Sequence, residues 1–158
     1  MIVTSQPGGA DINLGGGQLT DPYNWDMVLA TYDQSGVLKN ATRIGGADQD
    51  FGAGITYDRQ GNLYVTGIFG GLVDFGGITL NGTAAYNVFV VKYRDHGNHG
   101  AGIQADWAEA ILGAGSLADY QETGPRVWVE GQGPGKGIIV SGPYQGTATF
   151  GKFALGNL

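Results

Sequence analysis

Few residues in this chain could do chemistry, and they are scattered. Asp48, Gln49 and Asp50 form a short acidic stretch, and Glu109 adds a carboxylate later on. Carboxylates beside backbone carbonyls are what a calcium ion takes as ligands, so Asp48 and Asp50 are the candidate metal donors. The plainer reading is a solvated acidic loop, and no metal or other cofactor is expected. The two histidines, His96 and His99, could seat a metal on one face of a helix, but they fall in a turn. There is no cysteine, hence no thiolate chemistry, and no Gly-x-Ser-x-Gly elbow. The glycine-rich run 131–137 fails as a phosphate loop, because Glu130 and Gly137 stand where Gly and Ser or Thr are required. No catalytic constellation emerges, and the chain is expected not to be an enzyme. Tyr23, Trp25, Tyr86 and Trp128 remain as candidate ligand contacts, because amphipathic rings suit shallow binding surfaces.

These residues are carried by an unusual composition. Glycine supplies 31 of 158 residues, while apolar residues still make up 42%. That apolar content can offset the entropy of ordering so glycine-rich a chain. Glycine recurring between β-branched and aromatic runs points to an all-β fold with many turns. The net charge of −6 argues against nucleic acid or an anionic membrane surface as a partner. No apolar run reaches the length of a membrane span, and residues 1–5 lack the features of a signal peptide.

The chain repeats itself. Tyr32-Asp33-Gln34-Ser35-Gly36 faces Tyr93-Arg94-Asp95-His96-Gly97, and Leu14-Gly15-Gly16 faces Phe75-Gly76-Gly77, both at an offset of 61. Without gaps this register runs from Asn13 onto Asp74 as far as Asp119. Beyond it, Tyr64-Val65-Thr66-Gly67 matches Ile139-Val140-Ser141-Gly142 at an offset of 75. The jump implies an insertion at 121–136, read as a hairpin arm, with Trp128 either packed on its own blade or presented as an anchor. Residues 149–155 echo 74–80, and Val3-Thr4 echoes Val65-Thr66. Four strand-like runs fill each unit: 26–33, 37–45, 51–58 and 62–69, then 87–94, 98–105, 111–120 and 137–144. The first run of each is continuously apolar, as in a strand buried on both faces. Four antiparallel strands per unit, the first innermost, describe a propeller blade. Turns at 32–36 and 57–61 place Asp before a corner and Gly where φ is positive. The connectors 45–50 and 70–86 should share one face.

Leu63-Tyr64-Val65-Thr66-Gly67-x-Phe69-x-Gly71-x-Val73-Asp74-Phe75-Gly76-Gly77, followed by Asn87-Val88-Phe89-Val90-Val91-Lys92-Tyr93, resembles the bacterial β-propeller repeat family, the SBBP repeats. The resemblance covers nearly the whole chain and is weaker across 97–136. It implies a non-catalytic module of secreted or cell-surface bacterial proteins.

The expected fold is therefore all-β, with two four-stranded antiparallel propeller-type blades plus partial flanking pieces. Residues 1–12 end a preceding blade, 13–73 form repeat one, 74–147 repeat two, and 148–158 begin a third. The expected function is interaction or scaffolding. A carbohydrate-binding propeller module is the alternative, with Tyr23, Trp25 and Tyr86 placed before the inner strands, and part of an enzyme is the remaining reading. Two blades leave apolar flanks, so homo-oligomerisation, or pairing with further blades of a parent chain, is expected. Tyr32 and Tyr93 should be equivalent core residues.

Overall fold

The computed structural model describes residues 2–4, 12–15, 18–19, 25–94, 104–113, 124–130, 137–142, 148–150 and 153–155. These residues form strands and turns, with no helix among them. In chain order the strands are β1 (Ile2–Thr4), β2 (Ile12–Asn13), β3 (Gln18–Leu19), β4 (Met27–Tyr32), β5 (Leu38–Ile44), β6 (Phe51–Tyr57), β7 (Leu63–Phe69) and β8 (Leu72–Asp74). There follow β9 (Thr79–Asn81), β10 (Asn87–Tyr93), β11 (Ala105–Leu112), β12 (Arg126–Val129), β13 (Ile138–Ser141), β14 (Ala148–Phe150) and β15 (Phe153–Leu155). All pairings are antiparallel.

The fold class is all-β as expected, but the strands group differently. β4 and β5 pair, yet β5 does not go on to β6. Instead β6-β7-β10-β11 form one four-stranded meander, extended at the β11 edge by β14 and β15. The sheet β1-β4-β5 lies on one side of this meander and the hairpin β12-β13 on the other. So one complete blade is flanked face to face by two partial sheets, in place of two complete blades, and the described strands close no ring. The complete sheet takes strands three and four of one repeat and strands one and two of the next.

This layering explains the apolar runs. β7 alternates, with Leu63, Val65 and Phe69 facing one side and Tyr64 and Ile68 the other. β10 does the same, with Phe89, Val91 and Tyr93 against Val88 and Val90. Met27, Leu29 and Ile44 from the β1-β4-β5 sheet close the first core, and Val127 closes the second. Both faces of β7 and β10 are covered, so polar alternation is absent. The innermost strand is thus not the first of each unit alone, since β7, the fourth, is fully buried too.

The hairpin β8-β9 caps the first core. Asp74 Oδ1 accepts from the N–H groups of Gly76 and Gly77 at 2.9 and 2.7 Å, and Phe75 drops between Phe69 and Phe89. Three copies of this hairpin share one register. Val73 pairs Leu80, Ile12 pairs Leu19 at the offset of 61, and Ala148 pairs Leu155 at the offset of 75. The tight turns also match expectation. Asp33 and Asp58 each collect N–H donors from the following residues, with Gly36 and Gly61 at φ 82° and 83°. Only glycine takes that conformation without strain.

The pairing relocates the insertion. A register shift falls between Thr31 and Tyr32 in β4 and between Lys92 and Tyr93 in β10, still 61 apart. Their partners are already 67 apart, because Tyr32 pairs Leu38 and Tyr93 pairs Ala105. β11 therefore occupies the place given to 98–105, and Ile111 and Leu112 end it rather than begin a third strand. The third strand is β12. Val129 pairs Ile138 as Tyr57 pairs Leu63, at offsets of 72 and 75. So Arg126–Val129 belongs to a sheet, not to an arm, and the extra residues are spread over three connections. Loop length is the cheapest variable in such a repeat.

Tyr93 is 3% exposed, whereas Tyr32 is 37% exposed. They are equivalent in register but not in burial. β7 accompanies β10 as far as the Leu63–Tyr93 pair, while β1 covers β4 only from Met27 to Leu29.

Candidate functional site

The crossover at 45–50 carries the chain from one sheet to the next. It needs backbone in close contact, which explains its paired glycines: a methyl group on Gly46 would strike the Leu72 carbonyl. Asp50 is fully buried and locks the crossover. Its Oδ2 accepts from Gly46 N–H at 2.7 Å, its Oδ1 from Gly70 N–H at 3.1 Å, and its own N–H donates to the Trp25 carbonyl at 2.6 Å. Burial pushes the Asp50 carboxyl up to about 7, with the charges of Asp26 and Asp48 adding to it and the two N–H donors opposing it.

Asn87 does similar work on the next connector. Its side-chain N–H groups donate to the carbonyls of Phe69 and Ala84, and its oxygen accepts from Gly113 N–H. Asp26 holds the equivalent place 61 residues earlier, buried and ion-paired with Arg43. Thr66, buried on β7, donates to the Phe89 carbonyl at 2.6 Å.

A cleft of about 500 Å³ opens where this crossover meets the β7-to-β10 connector. Asp48 and Gln49 form one wall, 82–86 the other, and Gly71 lies between. Asp48 presses on Gly70 and Gly71, where any side chain would collide with it. Tyr86 donates from its hydroxyl to Gln49 Oε1 at 3.0 Å, tying the walls together. The lining offers a carboxylate, an amide, the Thr83 hydroxyl, backbone groups and one aromatic ring. That set can hydrogen-bond a neutral polar ligand and pack against an apolar edge of it.

The expected site residues divide. Tyr86 and Asp48 line the cleft. Trp25 packs instead on Phe51, with ring centroids 5.5 Å apart. Asp50 faces inward to backbone N–H groups, so it does not stand beside Asp48 as a second open donor. Trp128 is 72% exposed on β12, so the expectation of packing on its own blade is corrected. Its neighbours Val127 and Val129 take the inner face, and the strand alternates. Glu109 lies on β11, opposite Val90. Tyr23, His96, His99 and 131–136 lie outside the described residues. Gln49 was noted only as part of the acidic stretch 48–50, and Thr83 was not among the expected site residues. The signal for their neighbourhood was the Gly70-Gly71 doublet, a mark of close backbone approach.

A family model for the beta-propeller repeat matches residues 39–67. The matched stretch begins in β5, contains the whole crossover and β6, and ends in β7. No curated protein and no solved structure gives a significant match.

Proposed function

We propose that this chain, which carries a beta-propeller repeat, is a non-enzymatic interaction module whose work is done by its surfaces. One observation carries this reading: buried polar side chains that could do chemistry are engaged in holding the scaffold. Asp50 grips two connectors, Asn87 grips three backbone groups, and Thr66 caps a carbonyl inside the sheet. Among the described residues, the cleft beside Tyr86 and the outer face of β12-β13 stay open. A panel of chromogenic ester, phosphate and glycoside substrates tests it. No turnover that depends on Asp48 is expected. Turnover abolished by Asp48→Asn would overturn the reading.

Carbohydrate binding is the second reading, supported by the cleft lining. Asp48, Gln49 and Thr83 supply hydrogen-bonding groups for sugar hydroxyls, and Tyr86 supplies a ring for the sugar's C–H face. A glycan array separates the two. Binding that Tyr86→Ala removes would place the ligand in the cleft, and an empty array would leave protein partners.

A further inference from the structure

We infer that the outer face of β12-β13 is a two-fold contact with a second copy of this chain. The assignment deepens the interaction-module reading by naming a partner. The face is built from cross-strand pairs. Trp128 lies opposite Ile139 and Arg126 opposite Ser141, while the Glu130 N–H donates to the Gly137 carbonyl and continues the ladder. Trp128 is 72% exposed and Ile139 51%. Val127, Val129, Ile138 and Val140 pack inward on Tyr64, Val90 and Trp107. The apolar pair thus stands side by side on a strand pair whose other face is already used.

The repeat says what this side of the sheet is for. Ile139 pairs Trp128 as Tyr64 pairs Thr56, so Ile139 holds the place of Tyr64. Tyr64 is 7% exposed because β12-β13 covers it. The same side of the β12-β13 sheet therefore has the form of a surface that receives another sheet, about 10 Å away.

The occupant follows from charge and from the other end of the stack. Arg126, Trp128 and Glu130 are alternate residues and point the same way. The stripe is positive, aromatic, negative. A two-fold axis through Trp128, perpendicular to the strands, reverses the second stripe over the first. Arg126 then meets Glu130 of the second copy, and the exchange occurs twice. Head-to-tail stacking would instead need the far face of β4, but Val28 and Ala30 there are 2% and 0% exposed. The isologous contact uses a face that is open, and Trp128 is its anchor.

Sedimentation equilibrium from micromolar to millimolar concentration tests it on the full chain. A concentration-dependent dimer is expected, lost in Trp128→Ser. Arg126→Glu and Glu130→Arg should each weaken it roughly tenfold, since each reversal creates two like-charge contacts. The double variant R126E/E130R should restore it. All three positions are exposed, and circular dichroism checks that each variant is folded. A monomer at every concentration, a dimer that survives Trp128→Ser, or a double swap no better than the singles would overturn the contact. None of these outcomes touches the substrate panel, so the module reading stands or falls separately.

Discussion

Asp50 shows how one side chain can be both strut and sensor. Its carboxyl is held at about 7 against the ordinary 3.8, chiefly by burial. The folded state therefore keeps a proton that the unfolded chain has already released. Stability should fall as pH rises from about 4 to about 7, because in that window folding takes up a proton. Asp33 acts in the opposite sense. Its hydrogen bond from Ser35, then Lys39 and the Val37 N–H, hold its carboxyl well below the usual range. The stability it lends is present above the ordinary carboxylate pKa and lost as pH falls below it. Melting temperatures of the wild type and Asp50→Asn across pH 4–8 check this. The variant should lose the decline between 4 and 7, and parallel curves would contradict the assignment. The tyrosine pair gives a second residue-scale test. Tyr93→Ala should cost roughly 3–5 kcal/mol, as for a buried aromatic, and Tyr32→Ala about 1 kcal/mol. Urea denaturation of both variants measures the difference, and equal losses would contradict the burial asymmetry.

Among the elements, β12 carries the clearest lesson. Trp-containing Arg126–Val129 alternates, which is a strand signal, but an ungapped register assigned it to a protruding arm. The misleading cue was that register itself, which ran without gaps as far as Asp119 and so laid the third strand on 111–120. Pairing shows Gly113 at the end of β11, while Arg126 stands in the place of Gly54, opposite Ser141 as Gly54 is opposite Thr66. The turns at Asp33 and Asp58 were legible because they depend on local chemistry: each carboxylate caps its own backbone. The β8-β9 hairpin was not, since 70–86 read only as a connector, although Asp74 caps the N–H groups of Gly76 and Gly77 in the same way. The cleft was only half legible. Tyr86 was visible as an aromatic before an apolar run, but Gln49 meets it through a crossover that no local pattern reveals. An equivalent ion pair at the bulges escaped notice for the same reason. Lys39 and Asp33 meet at 2.9 Å, and Asp106 and Arg94 meet at the matching place with signs exchanged. Replacing 131–136 by a short Asn-Gly turn should leave the fold intact, since β12 and β13 remain to pair. Val127→Asp should destabilise by several kcal/mol, because a carboxylate would face Tyr64 and Val90. Thermal melts of both variants distinguish a strand from an arm.

At the scale of the whole molecule, the question is where one sheet ends and the next begins. Four apolar runs separated by short turns can pair in more than one phase, and nothing local chooses between them. Tertiary packing does. The crossover 45–50 is pinned by Asp50 to Trp25 and Gly70, which sends β6 away from β5. The cap β8-β9 seals Phe75 over Phe69 and Phe89, which brings β7 to β10. The complete sheet therefore spans two repeats, and the partial sheets lie on its two faces. Cross-strand nuclear Overhauser effects in isotope-labelled protein report this pairing directly. Contacts between Thr66 and Val90 and between Val65 and Val91 are expected, with none linking β5 to β6. A ladder joining residues 38–44 to 51–57, without the β7–β10 contacts, would contradict the arrangement.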